Sequence, residues 1–517
     1  MTRQPNIVVV IADQLAAAGL GAYGNTLTRA PTLDRLADEG VVFEHAYCAS
    51  PLCVPSRGSL LTSMLPSRTG AIDNGAELAA SIPTFAHYLR VLGYRTVLSG
   101  KMHFVGPDQL HGFEERVTAD VYPAGLDWVP DWNLGSHERL PWYHDMSSVQ
   151  RAGAVRASLQ LDFDEEVAFR ARRAIVDSAR ARTRAPLLLV ASFTHPHDPY
   201  EVPARLWESY AGLTIDPPAV PMLPPEQQDP HTRRLLEMFE HDRYPADLAR
   251  TLAARRAYSA AITLVDEHVA SMLATLEEVG MAEETIVVVT SDHGDMLGER
   301  GLWYKMSFFD GSARVPLIVH QPRGMAPRRV STPVSLLDVG PTLVGLAGGW
   351  PDAGPAAPLD GRSLTRFLTG DGDPPAEPVL AEYLAEGVVQ PQVMVRHGSH
   401  KLIRCPGDPD LLYDLDRDPH ERENLAPRHE GAAALAELGA IAGARWDLPA
   451  LRTEVLASQR QRRLVARALA TGAITRWDHM APDDAPDRYI SSGRDFWGAL
   501  EQSRLAAPDD PAPSASD

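Results

Sequence analysis

The chain has 517 residues, and its 49 Lys plus Arg against 68 Asp plus Glu give a formal net charge of -19 at pH 7 with His neutral. With 44% hydrophobic residues it is globular by composition, long enough for a catalytic domain with a smaller appended one, and neither disordered overall nor a coiled coil. The acidic balance opposes a surface built for nucleic acid or for anionic lipid, although a few focused cations can still hold a small anion, and three cysteines, Cys48, Cys53 and Cys405, do not make a disulfide scaffold.

Gln4-Pro5-Asn6 leads into the apolar run Ile7 to Ala12, which is too short for a signal-peptide core or a membrane span, so cytoplasm is the expected compartment. The run predicts a strand buried on both faces, with Asp13-Gln14 at its carboxyl end. Helices are expected over Thr32 to Glu39, Ser56 to Met64 and Ile82 to Leu92, the last stopped by Gly93. Two further apolar runs predict buried strands. Leu187 to Phe193 precedes Thr194-His195-Pro196-His197-Asp198, and Thr285 to Ser291 precedes Asp292-His293-Gly294-Asp295. Between them, Asp247 to Glu278 carries apolar residues at helical spacing. The alternation predicts an α/β fold, an α/β/α sandwich whose strand ends gather ligand-binding residues.

A catalytic α/β domain is expected over 1–345. A smaller subdomain over 346–446 follows, opened by the Gly- and Pro-rich loops GGWPDAGPAAPLDG and TGDGDPPAEP. Within it VLAEYLA, QVMVRHG, SHKLIRC and LLYDLDRDP predict a small antiparallel sheet, closed by a helix over Glu430 to Ile441. Residues 447–505 form a tail with a basic helix from Arg452 to Ala470, and Trp477, Tyr489, Phe496 and Trp497 imply that this part packs on something. The end, 506–517, has the acidic, Pro-rich composition of a disordered segment.

The sharpest local signal is Cys53-Val54-Pro55-Ser56-Arg57, a small thiol at a helix entrance, where orphan N–H groups favour an anion. Alone it equally fits a buried loop cysteine. Asp13-Gln14 alone fits a helix N-cap, and Asp292-His293 alone fits a turn; both pairs ending buried strands of one sheet fit a metal site better. Lys101 and His103, two apart in Ser99-Gly100-Lys101-Met102-His103, fall on one side if extended.

With these residues in place, the chain resembles the formylglycine-dependent sulfatases of the alkaline-phosphatase superfamily, whose signature is C-x-P-S-R. Thr62-Ser63 departs from the commonest downstream form. The resemblance implies an alkaline-phosphatase-like fold and oxidation of Cys53 to formylglycine by a formylglycine-generating or sulfatase-maturing enzyme. One oxygen of the hydrated aldehyde would attack sulfur and the other expel sulfate. It also implies one divalent metal held by Asp13, Gln14, Asp292, His293 and the modified Cys53. Gln14 and His293 replace the commoner Asp and Asn, as in choline sulfatases and phosphonate monoester hydrolases, which makes Mn2+ as credible as Ca2+, with Mg2+ also open. Arg57 would orient the formylglycine, with Lys101 and His103 beside it. His195 is the expected leaving-group acid, assisted by Lys305, and His103 the expected acceptor of the proton released with sulfate.

Segments such as SPLCVPSRGS, IDNGAE, LSGKMHFVGPDQLHGFEER, SFTHPHDPY and RWDH look like the choline sulfatases of that family over nearly the whole chain. A choline ester has an anionic head and a quaternary ammonium tail, which aromatic faces attract by about 0.5 to 2 kcal/mol. Trp128 and Trp142 are the expected aromatic wall, Glu386 a carboxylate partner and Asn74 a sulfate contact. The tail resemblance implies a homodimer or homotetramer, with no nucleic acid and no membrane as partners. Two alternatives stand beside choline sulfate hydrolysis: an alkyl sulfatase or phosphonate or phosphate ester hydrolase of the same superfamily, and a non-catalytic anion-binding protein in which Cys53 stays a thiol.

Overall fold

A computed structural model describes residues 4–135, 139–181, 185–372 and 374–482. The strands of the large sheet are, in chain order, β1 (Asn6–Ala12), β2 (Val41–Phe43), β3 (Arg95–Gly100), β4 (Glu115–Arg116), β5 (Leu187–Phe193), β6 (Thr285–Thr290), β7 (Leu317–His320) and β8 (Arg328–Val330). In space they run β8-β2-β7-β6-β1-β5-β3-β4. β1 lies parallel to both β5 and β6, and every residue of these three strands is buried, which is why each reads as an unbroken apolar run. Only β7 opposes its neighbours, β6 and β2.

Helices flank the sheet in two sets. On one side α1 (Pro31–Glu39), α4 (Leu159–Arg180) and α5 (Leu248–Glu278) pack together; on the other, α2 (Cys53–Thr62), α3 (Phe85–Val91) and α6 (Val339–Leu346) do. The expected α/β/α sandwich is therefore the observed architecture. α4 and β3 join the expected elements. β9 (Val379–Tyr383), β10 (Gln392–His397), β11 (His400–Arg404) and β12 (Leu411–Asp414) form an antiparallel sheet covered by α7 (Ala432–Arg445), and α8 (Leu448–Leu469) follows. Among the described residues no helix is long and apolar enough to cross a membrane.

The end of β3 shows how tightly the strand ends are packed. Gly100 has a left-handed φ of 107°, and a Cβ there would sit 2.0 Å from the carbonyl oxygen of Ser192 on β5. Both the backbone angle and the space demand glycine. Gly100→Ala should lower stability by at least about 2 kcal/mol, read as a fall in denaturation midpoint.

Candidate active site

Asp13 and Gln14 leave the end of β1, Asp292 and His293 leave the end of the adjacent β6, and Cys53 opens α2. One ligand atom each from Asp13, Cys53, Asp292 and His293 lies within 4.8 Å of all the others, and all four residues are buried. Cys53 Sγ is 3.3 Å from His293 Nε2. His293 Nδ1 is 3.1 Å from the carbonyl oxygen of Gly294 and donates to it, so Nε2 turns its lone pair inward, 3.8 Å from Asp13 Oδ1. That Asp13 oxygen is fully buried without a hydrogen-bond partner among the described residues. A lone pair and an unpartnered carboxylate oxygen facing one point are what a bound cation satisfies, so the donor set fits a divalent metal ion.

Fixed cations surround the carboxylates. Arg57 Nε donates to Asp292 Oδ2 at 2.8 Å, and its Nη1 donates to the Lys101 carbonyl at 2.6 Å and to Ser192 Oγ at 2.9 Å. Lys101 Nζ pairs with Asp13 Oδ2, lies 3.6 Å from Cys53 Sγ and sits 4.2 Å from the centre of the Tyr122 ring. Burial pushes both carboxyls up, but Lys101 and Arg57 at Asp13, and Arg57 at Asp292, outweigh it and hold both below their usual range. Burial pushes His293 down, which keeps its imidazole neutral. The backbone is also held unusually here: Gln14 and His103 have left-handed φ of 65° and 57°, conformations that persist only where the surroundings enforce them.

Gln14 faces outward from the same point. Its Nε2 donates to Asp295 Oδ2 at 2.6 Å, and its Oε1 accepts from Lys305 Nζ at 2.7 Å. Lys305 Nζ is also 2.6 Å from His197 Nε2 and 3.5 Å from His144 Nε2. Both imidazoles are driven well below the ordinary histidine value, first by burial and then by Lys305.

A cavity of about 440 Å³ opens from this cluster. Its lining includes Cys53, Asn74, His103, His197 and Lys305 together with Tyr122, Trp128, Trp142, Asp198 and Glu201, and the Trp128 ring lies 5.4 Å from that of His103. The Trp128 and Trp142 rings are stacked, 6.1 Å apart and 18° from parallel. Asn74 Oδ1 accepts from the N–H of Val54 at 3.1 Å, capping the nucleophile helix with a side chain from another loop.

Comparison with known proteins agrees with this geometry. Residues 5–349 match the sulfatase family, 298–440 the C-terminal region of N-sulphoglucosamine sulphohydrolase, and 453–504 the C terminus of choline sulfatase. A choline-sulfatase of Rhizobium meliloti is 42% identical over 510 residues, spanning 97% of this chain and 98% of that one. The chain belongs to the sulfatase family. It is a sulfuric ester hydrolase working through a formylglycine and metal site at the Asp13, Cys53, Asp292 and His293 cluster. This sulfatase is also 27% identical to an N-acetylglucosamine-6-O-sulfatase of Bacteroides thetaiotaomicron, over 84% of this chain and 85% of that one. Its fold overlays the crystal structure of a phosphonate monoester hydrolase of Agrobacterium radiobacter with a TM-score of 0.67 and 25% identity, covering 88% and 96% of the two chains.

Of the residues singled out in the sulfatase sequence, Cys53, Asn74, His103, Trp128, Trp142 and Lys305 line the cavity, and Asp13, Asp292 and His293 cluster at Cys53 with Arg57, Lys101 and Gln14 bonded around them. His195 and Glu386 belong to neither group. His195 Nδ1 is 2.7 Å from Asp164 Oδ2 on α4, and the same carboxylate accepts from the N–H of Thr194 and of His195, which fixes the ring on α4 with Nε2 buried and unpartnered among the described residues. His197 lines the cavity instead, with its Nε2 2.6 Å from Lys305 Nζ. Glu386 does not line the cavity either: it is buried beyond it, with Oε2 unpartnered among the described residues. Tyr122 and His144 complete the site without having been singled out, and the contact that marks Tyr122 is the Lys101 ammonium against its ring. In the tail, Trp477 packs on the cluster containing Val54 and Val129, Asp478 accepts from the N–H of Ala124 at 3.1 Å, and His479 donates to the Arg116 carbonyl at 2.9 Å. Tyr489, Phe496, Trp497 and 506–517 lie outside the described residues.

The exchange of histidine roles is testable. His197→Gln should lower kcat/KM by about 10²- to 10⁴-fold with an unchanged melting midpoint. His195→Gln should instead cost about 1 to 3 kcal/mol of stability and spare most of the activity per folded molecule. Glu386 gives a pH signature. Burial raises its carboxyl from the ordinary glutamate value of 4.5 to about 7. Between those values the folded chain binds the extra proton, so its contribution is intact below about pH 4.5 and is lost as pH rises through about 7. Glu386→Gln, which cannot ionise, should be more stable than the parent at pH 8 by about 1 to 3 kcal/mol, with the gain vanishing near pH 4.5 in denaturant titrations.

Proposed function

We propose that this sulfatase hydrolyses choline sulfate to choline and inorganic sulfate. One observation carries the reading: a single cavity joins residue 53 and its cations to two near-parallel indoles. An ester with an anion at one end and a quaternary ammonium at the other matches both ends at once. The resemblance to the Rhizobium meliloti choline-sulfatase supports the same substrate.

Residue 53, once converted to formylglycine by a maturing enzyme, supplies an oxygen nucleophile, and a divalent ion supplies charge neutralisation. Asp13, Asp292 and His293 would hold that ion, and Gln14 would join them by turning its Oε1 away from Lys305. Their mix of carboxylate, amide and imidazole suits Ca2+ or Mn2+, with Mg2+ a harder alternative. Arg57 fixes the Asp292 carboxylate, while Lys101 and Lys305 set positive charge where the sulfuryl oxygens lie. His103 lines the cavity beside Cys53, and burial keeps its imidazole neutral, which suits it to take the proton as sulfate departs. Proton delivery to the choline oxygen falls to the Lys305 and His197 pair, in contact at 2.6 Å. Trp128 and Trp142 would face the ammonium and Asn74 the sulfate.

We place the enzyme in the cytoplasm, a reading supported by its three free thiols. The tail would assemble it into a dimer or tetramer, a reading supported by the exposed Leu464, Val465, Ile474 and Met480.

The test compares release of sulfate from choline sulfate and from 3,3-dimethylbutyl sulfate, its uncharged isostere, using fully matured enzyme with metal supplied. The expected preference for choline sulfate is about 10- to 30-fold in kcat/KM, reduced severalfold by Trp128→Ala. Equal turnover would overturn the substrate assignment. Faster turnover of a phosphonate monoester would move the assignment to that class.

A further inference from the structure

The helix α8 begins 395 positions after Cys53 in the chain, yet it grips the loop that caps the nucleophile helix. Arg462 on α8 donates from Nη1 to Asp73 Oδ1 at 2.6 Å and from Nη2 to Asp73 Oδ2 at 2.7 Å, a two-pronged pair. Nη1 also donates to the Gly75 carbonyl at 2.9 Å, and Nε donates to Ser458 Oγ at 3.1 Å, which aims the guanidinium from within its own helix. The Asp73 side chain is fully buried and that of Arg462 is only 13% exposed, so the pair is poorly screened by water.

Arg462 thus holds the residues on both sides of Asn74, and both Asn74 and the neighbouring Trp128 line the cavity. Asn74 itself caps Val54, next to the nucleophile. Gly75 presses on the aromatic wall: a Cβ there would lie 2.5 Å from the Val129 backbone nitrogen and 2.6 Å from the Trp128 carbonyl carbon. The same helix supports the far side of that segment. Gln459 Oε1 accepts from the N–H of Trp132 at 3.0 Å, and Arg463 pairs with Asp131.

We infer that Arg462 is a positioning residue for substrate: by clamping Asp73 and Gly75 it fixes Asn74 against the nucleophile helix and Trp128 in the cavity wall at the separation that the substrate's two ends require. α8 therefore sets substrate capture within its own chain. Arg462 touches no reacting atom, and its effect travels through Asn74 and Trp128. The inference rests on the choline sulfate reading.

Arg462→Gln and Arg462→Lys are compared with the parent, all fully matured and metal-loaded, for kcat and KM on choline sulfate and on 4-nitrophenyl sulfate, which lacks the ammonium end. Melting midpoints and the mass of the residue 53 peptide are measured alongside. Arg462→Gln is expected to raise KM for choline sulfate by roughly tenfold, with a smaller change in kcat and little change for 4-nitrophenyl sulfate. Arg462→Lys, which keeps the charge but loses the fork, is expected to recover part of the loss. Adding Asp73→Asn to Arg462→Gln should cost nothing further in KM, because both remove one interaction. Equal losses on both substrates, tracking the melting midpoint or the aldehyde content, would show a merely structural brace and overturn the inference. An unchanged KM for choline sulfate in Arg462→Gln would overturn it too. A parent enzyme with no preference for choline sulfate over its uncharged isostere would instead overturn the substrate reading, and is distinguished by needing no variant.

Discussion

Asp13 and Asp292 are two carboxylates with no access to water, set side by side at the ends of adjacent strands. At a separation of about 4 Å two unit charges interact by about 4 kcal/mol even at an effective dielectric of 20, so such a pair cannot stand without cations equally deep in the protein. Arg57 and Lys101 are those cations, and their placement dictates much else. Arg57 projects from the helix whose first residue is Cys53, so balancing the carboxylates and presenting residue 53 are one packing problem. Lys101 follows the close approach of Gly100 to Ser192, so the same requirement reaches into the register of β3 and β5.

The central strands are legible because a strand buried on both faces has no polar residues to interrupt it, and its first polar residues mark where it emerges at the ligand edge. Asp13-Gln14 and Asp292-His293 stand out for that reason, and the CVPSR segment stands out through its resemblance. The histidines of Thr-His-Pro-His are not separable in this way. What decides between them is Asp164, 31 positions earlier on α4, a helix whose buried positions Leu161, Val167, Ala168, Ala171, Ala174 and Ile175 carry its periodicity among dense charges. Glu386 and Arg462 are illegible for the same reason: their surroundings are assembled from segments hundreds of positions away in sequence. Local pattern reports burial and strand ends; it does not report which distant side chain will arrive.

Sulfatases and a phosphonate monoester hydrolase share this sheet, so selectivity for a particular ester must come from the wall rather than the frame. In this chain the wall comes from the connection between β4 and α4, carrying Tyr122, Trp128 and Trp142, whose strand pairing among the described residues is confined to its far end, where Gly153–Val155 runs parallel to Glu201–Pro203. Its rigidity comes from side chains anchored elsewhere. Trp132 Nε1 donates to the Ala385 carbonyl at 2.8 Å, His479 and Asp478 hold the stretch near Arg116 and Ala124, and α8 holds 131–132. Loop chemistry is thereby given something like the precision of regular structure.

Cys53 retains only 2% of its surface in the folded chain, beneath the 73–75 loop and against His293. An oxidising enzyme cannot draw that thiol into its own cleft without unpicking the start of α2. Burial of this kind would place any conversion of residue 53 in the interval before the sheet closes. His293, which packs against the thiol, is synthesised 240 residues later, so for much of translation the segment around Cys53 has no site to fold into. Because the chain emerges amino end first, residue 53 stays reachable until that partner exists, and a chain that folds with the thiol unreacted has sealed its sulfur inside.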